Sequence, residues 1–407
     1  MRPGGPAGGH RRGEMWPEGD GGRLARGGGV PGGAVFADQV VCHMTEVLLA
    51  VGTEKGLFLG RSRDRLSWEF SGPHFPMNAI YSVSVDRREG GVRLLVGADS
   101  SHWGPSVWRS DDLGATWFEP PEPAIRFPEH TGASLTRVWQ LQPAGPEAPG
   151  VVYAGTEPAA LFRSTDGGET FELVESLWNH PQRPEWGAGY GGQGLHTILT
   201  DVRDPERLLV AVSSGGVYRS KDGGAGWEPS NQGLRAEFLP EESQYPEFGQ
   251  CVHKIARDAV NRDRLYLQNH GGVYRSDDAG ASWQFVTDGL PADFGFAVAA
   301  HPRQADTAYL FPLGGADDRI PPDRRCRVYR TEDGGESWTP LAEGLPGEDH
   351  YGVVLRDALR TDDAAPAGIY FGNRNGEVYG SPDEGESWSL LISHLPDVLC
   401  VRAAVIA

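Results

Sequence analysis

Three histidines are the residues best placed to do chemistry. Leu195-His196-Thr197-Ile198 and Val252-His253-Lys254-Ile255 repeat one phrase, and His270 follows Gln268-Asn269 at the end of a short apolar run. A neutral imidazole can ligate a metal, pass a proton or bond a ligand. It can also do nothing more than bond backbone. Gln250, Asn269, Arg137, Trp139, His350 and Tyr351 complete a polar and aromatic set suited to contacting a ligand. Hydrolysis of a glycan would need two carboxyl groups at a set separation. Glu54, Asp99, Glu129, Glu157, Asp293 and Asp349 are available, and sequence spacing does not rank them. No G-x-S-x-G elbow, P-loop or H-E-x-x-H is present. Gly189 to Gly194 is glycine-rich but lies in a long loop, where it reads as a tight turn rather than a phosphate cradle.

A repeated turn must position these residues. Ser110 to Trp117 and Ser276 to Trp283 are its clearest copies. Others run Ser164 to Phe171, Ser220 to Trp227, Thr331 to Trp338 and Ser381 to Trp388, with a worn copy at Ser62 to Trp68. The pattern is Ser/Thr-x-Asp-x-Gly-x-Ser/Thr-Trp/Phe, with Asp64, Asp112, Asp166, Asp222, Asp278, Asp333 and Asp383 at its acidic position. Each copy follows a short apolar run such as Val273-Tyr274-Arg275, so each is a hairpin turn. The Asp can accept bonds from the turn's own N–H groups, as Asx turns do. The Gly can take positive φ, and the aromatic can pack between neighbouring sheets. These Asp residues are therefore structural. Calcium binding is the other reading, but the loops are too short for an EF-hand ligand set.

The closing aromatics, from Trp68 to Trp388, recur at near-even spacing, with room for four short strands between copies. Repeats of this length with strands around a turn mean a β-propeller. The chain starts on a run that fits a second strand, Val47 to Thr53, and ends on one that fits a first strand, Val398 to Val405. The expected fold is all-β: a seven-bladed propeller of four-stranded antiparallel blades, closed by the C-terminal strand completing the N-terminal blade. Six blades with a stray terminal hairpin is the competing count.

In such a blade the boxes share a face with the turns joining strands one and two. The opposite face carries the longer loops: residues 72–80, 120–135, 177–195, 233–251 and 313–326. Sites usually sit on loops held by a rigid scaffold. Nine of the twelve histidines fall there or at adjoining strand starts, joined by aromatics such as Trp103, Trp139, Trp178, Trp186, Tyr190, Tyr245 and Tyr351.

Composition narrows the field. Gly at 57 and Pro at 31 of 407 residues suit many tight turns and argue against long helices. The net charge of −19 and pI near 5.0 exclude nucleic acid as a main partner. No apolar run is long enough to cross a membrane as a helix. Cys42, Cys251, Cys326 and Cys400 are scattered without a CxxC, which favours reduced thiols and a cytoplasmic address. Residues 1–43 are rich in Gly, Arg and Pro and read as a disordered tail or a misassigned start, with Met44 or Met15 as the true one. Residues 44–407 read as one propeller domain.

The boxes resemble those of bacterial BNR/Asp-box propellers, a sialidase-like or glycosyl-hydrolase-like group. Gly249 to Lys254, Gln268-Asn269-His270, Asp293 to Phe296 and Gly368 to Gly372 resemble an uncharacterised subgroup of it. Similar boxes occur in sialidases, xyloglucan-type endoglucanases, sortilin-type receptors and a photosystem II assembly factor, so the resemblance implies fold more firmly than activity. A sialidase would need an arginine triad for the substrate carboxylate, a Tyr–Glu nucleophile pair and an Arg-Ile-Pro motif. Arg126-Phe127-Pro128 is a poor match to the last, and Arg137, Arg374 and Arg402 could reach the channel without being identified as a clamp. The function expected is a soluble propeller binding a glycan, small polar ligand or protein segment at its loop face, without a cofactor. The alternative is a glycoside hydrolase-like enzyme using loop-face carboxylates.

Overall fold

The computed structural model describes residues 46–189 and 191–406. The expected tail with its candidate starts, Cys42 and Tyr190 lie outside these residues. Short β-branched and aromatic runs between Gly- and Asp-rich turns pair as antiparallel strands. They form seven separate sheets. Blade 1 holds Val47–Thr53, Gly56–Ser62 and Glu69–His74, and Val398–Val405 is its inner strand. That strand pairs from Val47 with Val405 to Gly52 with Cys400, so the chain's last strand closes the ring on its first.

The inner strands of blades 2 to 7 are Asn78–Asp86, Arg137–Pro143, Leu195–Asp201, Val252–Arg257, Phe294–Ala300 and Leu359–Thr361. Blade 2 differs from the four-stranded expectation: its outer edge shrinks to a bridge between Arg109 and Phe118. Glu119 is followed by Pro120-Pro121, and a residue without an N–H cannot extend a ladder.

The repeated turns close on themselves. Asp112 Oδ1 accepts from the Ser110 hydroxyl and the Thr116 N–H, both at 2.8 Å, and Asp112 Oδ2 accepts from the Thr116 hydroxyl at 2.5 Å. The Gly114 N–H donates to Ser110 Oγ at 2.8 Å. Bonds from Thr116 and Ser110 hold the Asp112 carboxyl at about 2. The same net recurs at Asp166, Asp278, Asp333 and Asp383. The closing aromatics then pin blade to blade: Trp283 Nε1 donates to Ser230 O and Trp338 Nε1 to Val286 O, each at 2.8 Å. Close approach between blades also needs glycine, since a Cβ on Gly155 would collide with the Leu195 carbonyl.

One device recurs where the inner strands begin. In blades 2 to 5 the pairing slips by one residue, leaving Tyr81, Trp139, His196 and His253 without a partner opposite. Blade 1 slips at Leu399 and blade 6 around Phe296. A bulge bends its strand and re-aims one side chain. Here six blades each re-aim one at the same height.

Candidate functional site

Those bulges build the mouth of the central channel. Tyr81, Trp139, His253, Phe296 and Leu399 line a cavity of about 610 Å³. Loop residues complete it, among them Gly187 to Gly189, Phe238, Arg319, Arg356 and Arg374. An apolar and aromatic wall with a few convergent polar groups is the usual make-up of a ligand site.

The predicted histidines divide here. His196 is fully buried and does not line the cavity. Its Nε2 bonds the Val252 carbonyl of the next blade at 3.0 Å and its Nδ1 meets the Thr197 hydroxyl at 3.1 Å, so both nitrogens are engaged. His253 repeats the stitch, with Nδ1 bonding the Gly295 carbonyl of the next blade at 2.5 Å. Its Nε2 stays on the cavity side, 3.7 Å from Cys251 Sγ. His270 arrives beside it because its N–H bonds the Cys251 carbonyl at 3.0 Å, and the His253 and His270 rings stand 5.5 Å apart.

Among the described residues, the donor atoms that could together hold a metal are those of Cys251, His253 and His270, all within 4.8 Å of one another. The expected His196–His253–His270 cluster is therefore corrected: burial against Val252 removes His196, and the thiol of Cys251 takes its place. Burial pushes the His253 imidazole down to about 3 and that of His270 below its ordinary value, so both are neutral at pH 7.

A second corner gathers carboxylates. Arg137 Nε bonds Asp99 Oδ2 and its Nη1 bonds Glu157 Oε2, both at 3.0 Å. The same guanidinium lies 4.2 Å over the Tyr81 ring and 4.9 Å from that of Trp139. The Tyr81 hydroxyl reaches Glu54 Oε1 at 3.4 Å, and the Trp139 indole N–H donates to Glu157 at 3.2 Å. Arg137, Tyr81 and Glu54 line the cavity, while Asp99 and Glu157 grip Arg137 from behind. Asp99 Oδ1 is buried without a partner among the described residues. Burial outweighs Arg137 and, aided by the charges of Glu157 and Glu54, raises the Asp99 carboxyl to about 7.

The floor is ionic. Asp357 accepts from Lys254 Nζ and Arg402 Nη2, each at 2.9 Å, and also from Arg360. Despite burial, these cations hold its carboxyl far below the ordinary range. Arg356 stands above, 4.9 Å from the Trp139 ring, with a long 3.4 Å contact to the Ser213 hydroxyl.

The remaining candidates lie elsewhere. Gln250 and Asn269 are buried outside the lining and brace the 233–251 loop, by bonds to the carbonyls of Pro246 at 2.6 Å and Arg235 at 2.8 Å. His350 and Tyr351 also lie outside it, and Tyr351 is exposed beside Arg324. Glu129 is exposed, Asp349 pairs with Arg324 at 3.2 Å, and the Asp293 carbonyl accepts from Gln268. Arg126 pairs with Glu122, Arg374 lines the cavity beside Asp397, and Arg402 faces the channel below the floor. Sequence reasoning missed Tyr81, Cys251, Phe296 and Arg356 as lining. Aligning the inner strands on His196 and His253 would have flagged Tyr81 and Phe296; no local signal marks Arg356.

No protein-family model matches the chain. Among curated proteins it is similar to a xyloglucanase of Hypocrea jecorina, 24% identical over 293 residues that make up 67% of this chain and 34% of that protein. It is also similar to an oligoxyloglucan-reducing end-specific xyloglucanase of Emericella nidulans, 24% identical over 382 residues, 84% of this chain and 45% of that protein. The chain thus spans less than half the length of these relatives. Among solved structures, an ancestral GH74 enzyme superposes with a TM-score of 0.51 at 16% identity, covering 77% of this chain and 38% of that one. That likeness carries the propeller fold. No helix among the described residues is long and apolar enough to cross a membrane.

Proposed function

We propose that this chain is a glycoside hydrolase-like propeller that takes an oligosaccharide into the mouth cavity. The observation that carries this reading is the carboxylate corner: Glu54, Asp99 and Glu157 around Arg137, with Tyr81 and Trp139 as a sugar-stacking wall. Asp99, raised to about 7, is protonated near neutrality, and from behind Arg137 it serves as general acid once bound sugar draws the guanidinium aside. Glu54 is its partner carboxylate, because Asp357, the other acid lining the cavity, is committed to three cations. The xyloglucanases among its relatives support a xyloglucan-derived substrate over a sialoside. The test is release of reducing sugar from xyloglucan oligosaccharides. The wild type is expected to release it, and Asp99→Asn to lose roughly 10²–10⁴-fold in rate, the usual size of a general-acid contribution. A wild type that neither binds nor cleaves these sugars would overturn the proposal.

Recognition without hydrolysis is the second reading, and one observation favours it. Arg137 already engages both Asp99 and Glu157, so neither carboxylate is free to attack. Tight binding with no sugar released selects this reading. A cytoplasmic address belongs to the proposal too, supported by the free thiols of Cys251, Cys326 and Cys400; fractionation of expressing cells tests it.

A further inference from the structure

Below the Asp357 floor the channel opens again, toward the box face, into a second cavity of about 250 Å³. Lys254, Arg257, Arg360 and Arg402 line it, and no carboxylate among the described residues does. Three of these cations share the single Asp357 carboxyl. The fourth, Arg257, lies 3.6 Å from Asp201, but Asp201 is already bound by Arg203 through two bonds at 2.8 and 3.1 Å. The Arg257 side chain is only 9% exposed. Its Nη1 donates to the Arg262 carbonyl at 2.5 Å, while its Nε is buried with no partner among the described residues. A buried guanidinium nitrogen left unbonded is costly. Four cations facing two shared carboxylates leave the pocket with an excess of positive charge.

We propose that this lower cavity binds a small tetrahedral oxyanion, phosphate or sulfate, gripped by Arg257 together with Lys254, Arg360 and Arg402. The bound oxyanion accepts from the guanidinium and ammonium N–H groups that face the cavity and offsets the excess charge around Asp357. Guanidinium forks match the paired oxygens of such an anion, and chloride offers no such pair. Burial and the neighbouring arginines push the Lys254 ammonium down to about 7, the behaviour of a cation short of counter-charge. The floor of Asp357 separates this site from the mouth cavity, so it does not depend on the glycan proposal.

Calorimetry on the full chain tests the idea, with sodium phosphate, sodium sulfate and sodium chloride at equal ionic strength. One saturable site is expected for phosphate or sulfate, the stronger arm naming the anion, with chloride at least tenfold weaker. Arg257→Gln should weaken that site at least tenfold, and Arg126→Gln, at an exposed pair, should leave it unchanged. Phosphate and sulfate behaving like chloride, or a folded Arg257→Gln variant with wild-type affinity, would overturn it. Should Arg257→Gln not fold, ³¹P line broadening of phosphate by the wild type decides. Broadening reversed by sulfate supports the site, and its absence overturns it.

Discussion

Aspartates on the two faces of the ring meet opposite fates. Asp278, on the box face, spends both oxygens inside its own turn, on the Ser276 hydroxyl and on the N–H and hydroxyl of Ser282. These bonds outweigh burial and lower its carboxyl. Asp99, at the mouth, gives one oxygen to Arg137 and buries the other without a partner, and its carboxyl rises to about 7. The difference is whether the local backbone supplies donors. A turn repeated around the ring supplies them and produces an inert, stable acid. A position where blades depart from one another does not, and there an acid stays reactive.

The hardest blow to this contrast should fall between the faces. Asp357→Ala leaves Lys254, Arg360 and Arg402 without their shared anion and should cost about 3–5 kcal/mol of stability. Urea denaturation reads this, and a loss under about 1 kcal/mol would mean that the floor is not a keystone. At the mouth, Arg137→Met should weaken oligosaccharide binding about tenfold or more and lower the melting temperature less than Asp357→Ala does, because Asp99 can take up a proton when its partner is removed. A large loss of stability with unaltered affinity would place Arg137 with the structural residues instead.

The acid limb of the contrast follows from Asp99. The fold raises its pKa from 3.8 to about 7, so the fold favours the protonated form. The stability it adds is whole below about pH 4 and declines as pH rises toward 7. Hydrolysis should fall above pH 7, and Asp99→Asn should remove the decline in stability. A pH–rate profile flat to pH 9 would break the acid assignment. The smallest effect is expected on the box face. Asp278→Ala should cost roughly 1 kcal/mol or less, because the turn is largely exposed. That contribution is present above pH 4 and is lost as pH falls through the lowered folded pKa, while oligosaccharide affinity stays the same.

The ring was legible because its turns are. Six good boxes set the phase of the strands, and Val47 to Thr53 and Val398 to Val405 fit closure better than a stray terminal hairpin; closure is the pairing the structure has. His270 ends the strand that pairs with that of His253, so the hairpin itself brings the two rings together. The rest depended on register. A one-residue slip decides whether Trp139 or its neighbours face the channel, and nothing local encodes that slip. His196 and His253 occupy one position in the repeat, yet only the second reaches the cavity: His196 spends both nitrogens on Val252 and Thr197, whereas His253 spends Nδ1 on Gly295 and keeps Nε2 beside Cys251. Asp357 gathers partners from three separate blades, a convergence invisible in one dimension.

The ring of bulges has a consequence for how such a protein can change. Each slipped residue stands outside the ladder, so its backbone neighbours keep their bonds whatever side chain it carries. Tyr81, Trp139, Phe296 and Leu399 thus behave like letters on a combination lock, one dial per blade, while His253, stitched to the Gly295 carbonyl, is the dial that cannot turn without loosening its neighbour. A chain built this way could acquire a new ligand by single substitutions while the seven turns beneath continue to hold the wheel.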